Sequence, residues 1–366
     1  MNEIELTQEL VNINSENPPG NEKQIAKFIY DYLDSLKIPA ELMKIEKNRF
    51  NVVGALGKGN GLMLNGHLDT VPVGDLKKWR YDPFSGKVVD GKLYGMGASD
   101  MKGGVAAMLA AVKTLAREEY KRKLLLTFVA DEEANSKGST YLIKKRGSLL
   151  KDVKYGVIGE PREMDIGIAN KGIAEFKVKF FGKSAHGSKP ELGDNAILKA
   201  SKFVQKINKL SKNLKIKDSL LGKGTINVGT IRGGVKVNVV PDFCEVELDR
   251  RIVPGETPQI ALSQIRNLLK EFGEKAEIEI INGRLPLKIS KKSLIVKLLK
   301  EMTKGKLVIS TGYNESELYY RNCGIECISC GPGTPETSHT ANEFIKIKYL
   351  KKGTIIYENL IRKWCL

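Results

Sequence analysis

Histidine is scarce: three occur in 366 residues, at 67, 186 and 339. Cysteine, at five, is little commoner, and tryptophan, at two, is rarer still. An odd number of cysteines gathered in the C-terminal third excludes the dense disulfide framework of a small secreted scaffold. Cys327 and Cys330 form a CxxC, but no second CxxC completes a four-cysteine zinc site, and the expected reading is small apolar side chains in a buried strand. No apolar run approaches the roughly 20 residues that span a bilayer, and the N-terminal stretch lacks a basic segment followed by an apolar one. The expectation is a soluble cytoplasmic protein with no membrane role. Acidic residues are outnumbered, 43 against 60 basic, giving a net charge of +17. The lysines are spread along the chain with apolar residues three and four apart between them, which is the pattern of solvated helix faces rather than of a nucleic-acid patch.

The length exceeds what one core usually organises, so two domains are expected. Apolar positions at helical spacing over 22–37 follow Asn, Pro and Gly stop signals and predict a first helix. Short apolar runs at 51–65, 124–130 and 155–158 alternate with the helical stretch GGVAAMLAAVKTLAREE. That alternation predicts an α/β layer with a central, mostly parallel sheet. From about residue 171 the texture changes to alternating strands such as IAEFKVKFFG and NVVPDFCEVELDRRI, with helices between them. After about 284 the first texture returns, with helices over 291–303 and 342–363 and a strand at GIECISC. The simplest organisation is an α+β domain over 171–283 inserted between two parts of a catalytic domain, 1–170 and 284–366.

What is present at the ends of the apolar runs is a set of His and carboxylate side chains. His67 and Asp69 follow GLMLNG, Asp100 lies in GMGASDMKGG, Glu132 and Glu133 follow LLLTFVAD, Glu160 follows YGVIG, and His339 stands near the end. In open α/β sheets, ligands bind beyond the carboxyl ends of the strands. Hard carboxylates and imidazoles gathered there suit two divalent cations around an activated water, which points to a hydrolase. A bridging carboxylate lowers the repulsion between two cations, and Asp100, in a tight glycine-rich turn, is assigned that role. His67 with Glu160 and Glu133 with His339 form the terminal pairs. The donor set suits zinc, and manganese or cobalt would accept it. Asp69 is placed to orient the His67 ring, and Glu132 is the general base.

The strings NGHLDTVPVGD, WRYDPFSGKVVDGKLYGMGASDMKGG, ADEE, GEP, GKSAHGS, NVVPD, DRRIVPGE and GPGTPETSH, in this order over nearly the whole chain, resemble the di-zinc amidohydrolase family. That family includes succinyl-diaminopimelate desuccinylase, acetylornithine deacetylase, aminoacylase and glutamate carboxypeptidase. The resemblance implies the same ligands, orienting Asp69 and base Glu132, and a cis peptide between Asp100 and Met101. It further implies that the inserted domain is a lid that mediates a homodimer, and that His186 stabilises an oxyanion in the partner's site. Asn238 and Arg251 would bind substrate, the arginine through a carboxylate, with Arg250 as its competitor. Ahead of GPGTPETSH many relatives carry a Thr-Asp pair where this chain reads TGYNESELYYR, a departure that touches the substrate pocket.

The expected activity is hydrolysis of an N-acyl amino acid, with a dipeptidase or carboxypeptidase as the alternative. A nucleotide-binding reading of GMGASDMKGG fails on the missing third glycine of a dinucleotide fingerprint and on P-loop lysine spacing. A nucleic-acid-binding protein is favoured by net charge alone.

Overall fold

The computed structural model describes residues 1–271 and 276–366. Residues 272–275, within the expected inserted domain, lie outside the described residues. The chain divides into two compact units, one formed by 1–168, 289–308 and 314–366, the other by 169–288 and 309–313. Residues 284–288 and 309–313, which the sequence pattern assigns to the returning segment, therefore cluster with the second unit.

The first unit is built on a mixed, mainly parallel sheet. Across it run the strands Ala40–Glu46, Arg49–Leu56, Leu124–Val129, Gly61–His67, Val153–Pro161, Glu326–Gly331 and Ile166–Asn170. Gly61–His67 pairs in parallel with both Leu124–Val129 and Val153–Pro161, and Glu326–Gly331 continues that direction. GLMLNGH and LLLTFV are buried at every position, because parallel strands are covered on both faces and so read as continuous apolar runs. Arg49–Leu56 and Gly61–His67, neighbours in sequence, are not hairpin partners; Leu124–Val129 lies between them.

Helix Gly103–Leu115 is rich in alanine and glycine and buried on nearly all sides, so it packs closely against the sheet and against the closing helix Ile347–Cys365. The latter buries Leu350, Gly353, Ile356, Tyr357, Leu360 and Ile361, a stripe at three- and four-residue spacing. It begins later than the sequence pattern predicts, because Phe344–Lys346 is a short strand. The helix expected over 22–37 spans Lys23–Ser35, and a helix that the pattern did not predict, Glu3–Asn12, precedes it with a capping box between Asn2 and Glu5.

The second unit is a four-stranded antiparallel sheet in the order Thr225–Gly233, Phe243–Ile252, Gly172–Phe181, Ala276–Arg284. Ala174, Phe176, Val178 and Phe180 alternate onto one face and pack with Phe203 and Ile207 of helix Ala196–Lys212 and with Ile265 of helix Pro258–Lys270. The opposite face carries cross-strand ion pairs, Lys177 with Glu245 and Glu247, and Lys179 with Glu279. This one-sided burial is what period-2 alternation encodes. Among the described residues, no helix is long and apolar enough to cross a membrane.

Candidate metal centre

The sheet delivers the acidic and imidazole side chains of the first unit to one place. His67 ends the strand Gly61–His67, Glu132 and Glu133 follow Leu124–Val129, and Glu160 closes Val153–Pro161. Asp100 lies between Gly97, whose φ of 78° is left-handed, and the helix that starts at Gly103; the Asp100–Met101 peptide is cis. His339 follows the short turn Pro335–Thr337.

Ligand atoms of His67, Asp100 and Glu160 lie within 4.8 Å of one another, and so do those of Asp100, Glu133 and His339. Asp100 belongs to both groups. Its Oδ1 is 3.1 Å from His67 Nε2 and its Oδ2 is 3.5 Å from His339 Nε2. His339 Nε2 also lies 3.0 Å from Glu133 Oε1. One carboxylate thus faces two imidazoles, one with each oxygen.

The electrostatics describe a cluster short of positive charge. Burial, with Glu160 nearby, drives the Glu132 carboxyl well above the usual range; burial and Asp100 push Glu160 up to about 7; burial also raises Glu133. Burial opposes protonation of His67, yet the bond to Asp100 and the charges of Glu132 and Glu133 lift it well above its ordinary value. The Glu133 bond lifts His339 to about 9. Groups that press one another toward the neutral acid and the charged imidazole are answered by a divalent cation, which restores the carboxylates and deprotonates the imidazoles. The donor chemistry and the paired grouping therefore fit two cations sharing Asp100.

The positioning of His67 differs in one atom from the sequence reading. Its Nδ1 donates to the backbone carbonyl of Asp69 at 2.9 Å, while the Asp69 carboxylate is 3.8 Å away. A carbonyl only accepts, so the neutral ring keeps its proton on Nδ1 and turns the Nε2 lone pair inward. The Asp69 carboxylate instead accepts from the backbone N–H groups of Glu132 and Glu133, both at 3.1 Å.

Comparison with known proteins resolves the class. The sequence profile of peptidase family M20/M25/M40 matches residues 63–363. The chain belongs to this family. It is 28% identical to a probable succinyl-diaminopimelate desuccinylase of Staphylococcus aureus (strain MSSA476), over 98% of this chain and 97% of that one. It is 31% identical to an acetylornithine deacetylase of Aliivibrio salmonicida (strain LFI1238), over 94% and 92%. Its fold superposes on an M20 family metallo-carboxypeptidase from Sulfolobus solfataricus with a TM-score of 0.85 at 22% identity, over 99% of both chains. The protein is therefore an M20 hydrolase with a metallopeptidase fold.

Three residues expected at the site of this M20 hydrolase, His186, Asn238 and Arg251, belong to the second unit. There His186 and Asn238 lie side by side: His186 bridges Val239, and the Gly187 N–H donates to the Asn238 carbonyl at 2.8 Å. His186 is exposed, and its Nδ1 accepts from the Ser188 N–H at 3.1 Å. Arg251 pairs with Asp249 at 2.9 Å. Its neighbour Arg250 is buried, ion-paired to Glu256, and donates to the Arg251 carbonyl at 2.8 Å. Cys327 and Cys330 are free, buried thiols.

Two acids of the site escaped the sequence reading. Glu343, buried, accepts from the backbone N–H groups of Gly97, Ser99 and Asp100 at 3.1, 2.8 and 2.9 Å. Its only signal is a glutamate four residues past His339. Glu315, whose carboxyl burial pushes up to about 8, lies in the divergent stretch TGYNESELYYR.

Proposed function

We propose that this M20 hydrolase cleaves the amide of an N-acyl amino acid, of the acetylornithine or succinyl-diaminopimelate type, with two divalent cations held by its first unit. The observation that carries the reading is Asp100, whose two oxygens face different imidazoles and which both candidate ligand groups share. In this reading Asp100 with His67 and Glu160 would hold one cation, and Asp100 with Glu133 and His339 would hold the other. Zinc suits the imidazole and carboxylate set, with cobalt or manganese as substitutes. When bound, the cations would supply Lewis-acid polarisation of the substrate carbonyl and would lower the pKa of the attacking water.

The remaining steps fall to side chains. Glu132 takes a proton from the attacking water and passes it to the departing amine. His186, whose Nδ1 accepts from Ser188, carries its proton on Nε2 when neutral and donates it in a hydrogen bond to the developing oxyanion. Asn238 and Arg251 bind the substrate, the arginine through its free carboxylate. The second unit acts as a lid and dimerisation domain, so that in a homodimer the partner subunit's His186 completes the site. Whole-length similarity to a desuccinylase and a deacetylase supports the N-acyl amino acid. The fold of the carboxypeptidase neighbour supports a second reading, cleavage of a short peptide from its carboxyl end.

Glu132→Ala tests the mechanism. We expect it to keep its metals while turnover falls by roughly 10²–10⁴-fold; near-normal turnover would remove Glu132 as the base. A panel of N-acyl amino acids and dipeptides assayed with Zn²⁺, Co²⁺ or Mn²⁺ separates the two substrate readings.

A further inference from the structure

Beside the candidate centre lies a buried network around Arg49, a residue to which the reaction above gives no part. Arg49, at the start of its strand, donates through Nη1 to Asp131 Oδ1 at 2.6 Å and to Glu22 Oε1 at 3.0 Å. Through Nη2 it donates to Asn17 Oδ1 at 2.8 Å and to the Pro19 carbonyl at 3.2 Å. Asn17 Nδ2 in turn donates to both Asp131 Oδ1 and Asp69 Oδ2, each at 2.9 Å. All five side chains are buried. A Cβ on Gly20, whose φ is 88°, would run into the guanidinium, so the turn after Pro19 closes directly over Arg49.

The network ends on the backbone of the base. Asp131 immediately precedes Glu132 and sits at a left-handed φ of 68°, a conformation that a residue with a side chain holds only when its surroundings fix it. Asp69 accepts the N–H groups of Glu132 and Glu133. Arg49 therefore grips the turn twice, at Asp131 directly and at Glu132 and Glu133 through Asn17 and Asp69.

We propose that Arg49 is a positioning residue: with Asn17 as its link, it sets the backbone of the Asp131–Glu133 turn and thereby aims Glu132. The planar fork is essential, because four acceptors are engaged from two nitrogens, and a lysine ammonium cannot reproduce that spread. The consequence for turnover rests on the hydrolase reading above; the consequence for the backbone does not.

The test uses the full chain, with Arg49→Lys and Asn17→Ala compared with the unsubstituted protein. Asn17→Ala cuts the link to Asp69 while leaving the Arg49 ion pairs with Glu22 and Asp131, so it decides the matter if Arg49→Lys does not fold. In the metal-free chain, native-state hydrogen exchange of the Glu132 and Glu133 amides should accelerate at least tenfold, with Leu125 and Leu126 unchanged. In the metal-loaded chain, kcat should fall at least tenfold with KM within about twofold. Uniform loss of protection across the strand, or unchanged Glu132 and Glu133 exchange, would reduce Arg49 to general stability and overturn the proposal. If the amides respond while the unsubstituted chain hydrolyses no amide, the positioning stands and the hydrolase reading fails.

Discussion

Arg250 and Arg251 are adjacent, yet the strand turns them to opposite environments. Arg250 is buried with Glu256, whose second oxygen accepts the Val253 N–H at 3.0 Å. Removing the carboxylate would strand a buried guanidinium, so Glu256→Ala should cost about 3–5 kcal/mol, read as a lower urea midpoint. Arg251 and Asp249 are both partly exposed, and Arg251→Ala should leave stability within about 1 kcal/mol while raising KM for a carboxylate-bearing substrate. A stability loss from Arg251→Ala equal to that from Glu256→Ala would reverse the assignment. The sequence could pose this choice but not make it, because Glu256 meets Arg250 only after the chain turns back at Pro254 and Gly255. The same holds for Arg49, whose partners Asn17, Glu22 and Asp131 are scattered over more than a hundred residues. His67 and Asp69, by contrast, were readable because a strand end and two-residue spacing place them locally. Even there the accepting atom on Asp69 was not, since main-chain direction is invisible in a residue string.

At the scale of elements, the segment 97–102 that carries Asp100 is held from outside by Glu343, which accepts from the N–H groups of Gly97, Ser99 and Asp100. Glu343 lies just ahead of the strand Phe344–Lys346, which pairs with Lys92–Tyr94. The loop of His339 and the loop of Asp100 are thereby tied together. Glu343→Ala leaves those buried donors without a partner and should lower metal affinity by 10–100-fold, the usual effect of losing an outer partner. Competition with a chelator measures this, and unchanged affinity would show that the segment holds itself. Continuous burial made LLLTFV and GLMLNG legible as core strands, and alternation did the same for IAEFKVKFFG. Pairing order was not legible, because the insertion of Leu124–Val129 between two sequence neighbours is a tertiary choice. Helix Glu3–Asn12 was missed although Asn2 and Glu5 carry its capping signature.

The whole molecule places a dense set of carboxylates out of water, and this sets how stability responds to pH and metal. Burial raises Glu22 and Glu160 to about 7 and Glu315 and Glu343 to about 8. An acid whose folded pKa lies above its unfolded value binds a proton in the native state that the unfolded chain has lost. The metal-free protein should therefore lose stability as pH rises from about 4.5 to 8, which thermal unfolding in EDTA across that range measures; a stability that rises over the same range would contradict these shifts. Cations bound to the native state alone should offset part of the loss, by about 2.7 kcal/mol per site at a hundredfold excess over Kd. The two-texture pattern anticipated an interrupted α/β layer, but the return of 309–313 to the second unit carries no compositional mark.

Metal-dependent amide hydrolysis at a site built around Asp100 can be tested on the purified chain. The most direct measurement is hydrolysis of N-acetylornithine and N-succinyl-diaminopimelate by EDTA-stripped protein as Zn²⁺ is restored in measured equivalents. We expect no turnover in EDTA, recovery that saturates at two equivalents per chain, and no recovery in Asp100→Ala. Equal turnover with and without metal, or full recovery in Asp100→Ala, would contradict it.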